Sequence, residues 1–96
     1  VSLPDGLAVV VKRDCPTCEL ITPVLRQLAG GSERLTVLTQ DDPAFPPGLS
    51  GVVDDTDLEK SWHLNIETVP TVIRIVGGRE SARAFGWHRG EWETLT

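Results

Sequence analysis

"KRDCPTCELITPVL", Lys12 to Leu25, contains both cysteines of the chain, Cys15 and Cys18. Three readings of such a pair stand open: a metal clip, a structural crosslink, or a dithiol that opens and closes. The flanking residues narrow the choice. Upstream, "GLAVVVK" (Gly6 to Lys12) is continuous and β-branched, the pattern of a strand covered on both faces in a largely parallel sheet. Downstream the period changes. Leu20, Ile21, Val24, Leu25 and Leu28 recur at helical spacing, and Gly30-Gly31 supplies a stop. "RLTVLTQ", Arg34 to Gln40, reads as a second strand. A strand–helix–strand run of this length predicts a right-handed crossover, which makes the two strands parallel neighbours.

The remaining chain continues the same architecture. "DDPAFPPGLSG", Asp41 to Gly51, is a loop rich in proline and glycine, and its length is unusual for a compact domain. "TDLEKSWHL" predicts a short helix, with Thr56 and Glu59 at capping-box spacing and Leu58, Ser61 and Trp62 on one face. "TVIRIV" and "ESARAF" flank Gly77-Gly78-Arg79, which reads as a hairpin. "HRGEWETL" starts a last helix with Trp92 and Leu95 toward the core. The order is β-α-β, a long loop with a helix, then β-β-α. This predicts an α/β sandwich: a mixed sheet of about four strands flanked by helices.

Composition bounds the function. The 96 residues suit one domain spanning 1–96, and 40% apolar residues with mixed charge mark an ordinary globular chain. The chain opens without Met and without the regions of a signal peptide, so it is expected to be a processed product or a domain cut from something longer. The compartment stays open, with a cytoplasmic setting preferred. No apolar run approaches the ~20 residues of a membrane span, so no membrane partner is expected. The net charge is −5, which argues against nucleic acid as a partner. The acids at Asp41-Asp42 and Asp54-Asp55-Asp57-Glu59 read as a solvated face.

The topology places Cys15 where a strand hands over to a helix, the place where chemistry collects in open α/β sheets. Unpaired N–H groups and the helix dipole there stabilise a thiolate, and Pro16 suits the first helical position. Cys15 is therefore expected to be exposed and nucleophilic, with Cys18 one turn on and more buried. Attack by Cys15 on a disulfide would give a mixed disulfide that Cys18 resolves. Against a metal, zinc wants four ligands, and only His63 and His88 remain, on elements placed away from the cysteines. Against a staple, the loop closed by Cys15 and Cys18 is tiny.

At this point the sequence resembles the thioredoxin superfamily over nearly its whole length. The resemblance rests on "CPTCELITPVLRQL", with Pro23 five residues after the second cysteine, on "ETVPTVIRIVGGRE" with Pro70, and on Gly86 after the hairpin. It implies a thioredoxin-like sandwich with a redox-active dithiol. Pro23 would kink the helix that carries the cysteines. Val69–Pro70 would be a cis peptide against the dithiol, with Val69 pairing to a substrate chain and Pro16, Thr17 and Trp87 lining its groove. Cys15, Cys18 and Pro70 would form the catalytic set of a protein-disulfide oxidoreductase. No cofactor is implied for the exchange itself. The implied partners are protein disulfide substrates and a reductase or partner domain as electron donor.

The chain also departs from the family. Asp14 stands in place of a tryptophan before Cys15 and should oppose thiolate formation, whereas Lys12 and Arg13 should favour it. The Cys-Pro-x-Cys pair looks more like glutaredoxins and some periplasmic disulfide oxidases, although no glutathione site is recognisable in "GGRESARAFGW". Thioredoxins bury an aspartate six residues before the first cysteine, paired with a lysine on the next strand; Val9 and Thr39 stand there. Glu19 is the nearby alternative as a base. The family's N-terminal strand is missing, which would leave "RLTVLTQ" at a sheet edge. Trp62 and Trp92 have core spacing. The rival reading is a non-catalytic binding module that keeps the fold for its groove.

Overall fold

The computed structural model describes residues 3–96. Nine elements follow one another: β1 (Gly6–Val11), α1 (Pro16–Leu20), α2 (Thr22–Ala29), β2 (Leu35–Thr39), β3 (Val53–Asp54), α3 (Glu59–His63), β4 (Thr71–Val76), β5 (Arg79–Phe85) and α4 (Arg89–Leu95). The sheet has five strands in the order β3-β2-β1-β4-β5. β1 and β2 are parallel, with Val9 opposite Val37 and Val11 opposite Thr39. On its other side β1 pairs antiparallel with β4, which continues into the β4–β5 hairpin. This is the mixed α/β sandwich that the pattern predicts, with one more strand.

The extra strand corrects the expected edge. β3 pairs parallel with the end of β2, Leu38 opposite Val53 and Thr39 opposite Asp54. "RLTVLTQ" is therefore an inner strand at this end, not the rim of the sheet. Two residues of β structure after a loop full of turn residues carry no readable alternation, so the pattern could not reveal them.

β1 explains its own composition. Leu7, Val9 and Val11 join one cluster with Cys18, Ile21, Leu25, Val72 and Trp92. Ala8 and Val10 join a second with Leu38, Ile73 and Ile75, against which Leu64 and Ile66 pack. Successive side chains of a strand point to opposite faces, so a strand covered on both is apolar throughout. The hairpin turn uses Gly77 and Gly78 at φ +62° and +77°, the left-handed conformations a two-residue turn requires. Their N–H groups donate to the Asp5 carboxylate at 3.0 and 2.8 Å.

Three further expectations are corrected. No capping box forms at α3: its N-cap is Leu58, left-handed at φ +62° and without a side-chain cap. The fully buried Asp55 does that work, accepting from the N–H groups of Lys60 and Ser61 and from Ser61 Oγ at 2.6–2.9 Å. Asp55 therefore does not belong to a solvated acidic face. Trp62 is not in the core; it is 76% exposed and lies edge-on to His63. A helix with an apolar residue at core spacing can turn that residue outward when its capping group sets the rotation. Trp92 is buried as expected, with its indole N–H on Gly86 O at 2.9 Å.

Candidate active site

β1 ends at Val11, and Lys12, Arg13 and Asp14 carry the chain to Cys15. Asp41 shapes that passage. Its carboxylate accepts from the N–H of Arg13 at 2.7 Å and from the N–H of Asp14 at 2.9 Å. Arg13 reaches on to Asp42 at 2.8 Å. The Asp42 carboxyl is held below the usual carboxylate range, first by the Ala44 N–H and then by Arg13. Arg13 thus spends its charge on Asp42. The sequence shows no signal for this contact beyond a pair of acids after a strand.

Cys15 is the N-cap of α1, with extended backbone (φ −158°, ψ 105°) and Pro16 in the first turn. Its sulfur accepts from the Cys18 N–H at 3.2 Å, the bond an N-cap side chain makes to an otherwise unpaired donor. It also lies 3.8 Å from Val69 O, to which the thiol donates. Cys15 is half-buried rather than fully exposed, since Val69 covers one side of it. Cys18 is completely buried, and both thiols are free. Burial first, and then its hydrogen bond with Cys15, push the Cys18 thiol up to about 12.

The helix behind the pair is divided. α1 stops at Leu20, Ile21 lies off the helical path (φ −87°, ψ 0°), and α2 begins with Pro23 in its first turn. A proline has no N–H for the carbonyl four residues back, and near a helix start that loss is harmless. The break that the resemblance implied is therefore a restart, with Thr22 Oγ1 donating to Cys18 O at 3.3 Å.

A cleft of about 380 Å³ opens at Cys15. Pro16 and Val69 line it, together with Lys12, Asp14, Gln40, Ile66, Glu67 and Thr68. The Val69–Pro70 peptide is cis, and Gly86 N–H donates to Pro70 O at 2.8 Å. Thr17 and Trp87, expected at the groove, do not line this cleft. Trp87 stands edge-on to Trp92 at 5.2 Å and lines a separate depression with Val24 and Leu28. Glu19 faces another depression, beside Arg26 and Phe45, so it is not placed as a base for the dithiol. Val9 is buried in the same cluster as Cys18 and presents no carboxylate. Thr39 lies opposite Val11 and donates to Asp42 O at 2.9 Å. Gln40 connects the cleft to the α3 cap through Ser61 Oγ at 2.9 Å. Among the described residues no group of three or more His, Cys, Asp or Glu converges.

The chain superposes on the reduced thioredoxin pre-protein of Schistosoma mansoni with a TM-score of 0.67, at 21% identity, covering 95% of this chain and 76% of that one. It superposes on a thioredoxin of Malassezia sympodialis with a TM-score of 0.62, at 15% identity, covering 94% and 73%. No family model and no curated protein matches it. The fold is thioredoxin-like.

Proposed function

We propose that the protein is a thiol–disulfide oxidoreductase acting on protein disulfides. The observation that carries this reading is the pair itself: Cys15 caps the helix with its sulfur on the Cys18 N–H, and Cys18 is sealed behind it. The Cys18 N–H donates to the Cys15 sulfur at the helix start, while burial keeps Cys18 protonated until it is needed. The Cys15 thiolate attacks one sulfur of a substrate disulfide, and the other sulfur leaves with the bonding pair and takes a proton. Cys18 then loses its proton and attacks Cys15. This closes the Cys15–Cys18 disulfide and expels the second substrate thiol. A substrate strand would run along Val69 beside Pro70, and an electron donor such as a reductase or partner domain would restore the dithiol.

A second reading is supported by one observation. Val9 stands in the core where an acid would assist Cys18, which fits a binding module with a slow dithiol. Insulin reduction separates the two. The enzyme accelerates turbidity well above free dithiothreitol and loses this on Cys15→Ser. A rate equal to that of dithiothreitol alone would leave the binding module.

A further inference from the structure

The cleft at Cys15 has two walls set by the order of the strands. β1 lies between β2 and β4. Gln40 follows the end of β2, with its N–H donating to Val11 O at 2.9 Å, and Val69 precedes β4 at the same end of the sheet. Both residues line the cleft. They stand two strand spacings apart, about 10 Å, with the end of β1 between them. That gap is the width that one added strand fills beside Val69. The Gln40 side chain is half-buried, and its amide is not free to turn. Ser61 Oγ donates its hydrogen to the buried Asp55 Oδ2 at 2.6 Å and is left as an acceptor. Gln40 Nε2 donates to it at 2.9 Å. The chain Asp55–Ser61–Gln40 therefore fixes which half of the amide meets Ser61, and Oε1 is the half left over. No donor among the described residues reaches Oε1, and none of their buried side-chain oxygens lacks a partner, so Oε1 is open to solvent.

We infer that Gln40 is a substrate-binding residue: its Oε1 accepts a backbone N–H from the edge of an extended substrate that faces away from Val69. The inference rests on the dithiol reading above and narrows its substrates to disulfides carried by an extended peptide segment. A strand laid along Val69 pairs on one edge only, and the N–H groups of its other edge lose water as they enter the cleft. An oxygen on the facing wall, already held in place through Ser61, accepts one of them with little ordering cost. A small disulfide without N–H donors gains nothing from it. Gln40 takes no part in the sulfur chemistry. Cys15 Sγ attacks the substrate sulfur, the S–S bond breaks, and the leaving sulfur departs with the bonding pair.

The test compares two 2-pyridyl disulfides on the reduced protein: one of a linear peptide with a single central cysteine, the other of ethanethiol, which has no N–H. Attack by Cys15 joins it to the peptide or ethyl sulfur, and the released pyridinethione takes up the thiol proton. Gln40→Met keeps the length of the side chain without the amide. It should slow release from the peptide about fivefold and leave release from the ethyl disulfide unchanged. Methylating the peptide nitrogens one at a time should find a position that slows the wild type by the same factor and the variant not at all. Equal slowing of both disulfides, no slowing of either, or the absence of such a position would overturn the inference. A wild-type protein inert toward both disulfides would instead refute the dithiol reading itself.

Discussion

At the residue scale, two buried groups decide the most. The Cys18 thiol, at about 12 against its usual 9.0, holds its proton more tightly in the folded state. Its contribution to stability is therefore full below about pH 9 and is lost as pH rises toward 12. The expected outcome is a urea midpoint of the reduced protein that falls over this window relative to Cys18→Ala; parallel curves would show that the thiol is not desolvated. Asp55 is the second group. Asp55→Ala strands the N–H groups of Lys60 and Ser61 and the Ser61 hydroxyl, and should cost about 2–3 kcal/mol in chemical denaturation. A loss below half a kilocalorie would mean that water caps the helix equally well.

At the scale of elements, the β1–β2 pairing has little tolerance at its start. Gly6 has φ +123°, and a Cβ there would sit 2.3 Å from Arg34 O. Gly6→Ala should lower stability by about 3 kcal/mol or more, read from thermal unfolding, because both the backbone and the neighbouring carbonyl would have to move. α3 shows how an element can be legible while its control is not. Its place is visible in "TDLEKSWHL", but its start depends on Asp55 and a left-handed Leu58, and neither has a local pattern. The cysteine helix is the opposite case. Cys15 and Pro16 each impose a local requirement, so the helix start is readable from the residues, whereas the break at Pro23 was implied only by the family resemblance and is a restart rather than a kink.

For the whole molecule, long-range facts are the ones that spacing could not supply. The parallel β1–β2 pair and the hairpin follow from apolar runs and a glycine turn. β3 at the rim and the grip of Asp41 on the approach to Cys15 join residues far apart in sequence. The tryptophans make the same point. Helical spacing puts Trp62 and Trp92 alike, yet the tertiary packing buries one and exposes the other. Trp92→Ala should cost about 3–5 kcal/mol, and Trp62→Ala no more than about 0.5 kcal/mol, both by denaturation. A comparable loss at Trp62 would mean that its exposed ring is not free of the fold.

The strand order also grades how the molecule opens. β1 is the middle of the five strands, bonded to β2 on one side and β4 on the other, whereas β3 and β5 are the outermost. Amide protons at the rim are expected to exchange through local fraying, and those of Ala8 to Val11 only when the sheet as a whole comes apart. The chain leaves that most protected strand and within four residues reaches Cys15. The Cys15 sulfur is thus tied to the centre of the sheet, with β2 standing between β1 and the two-residue rim strand β3.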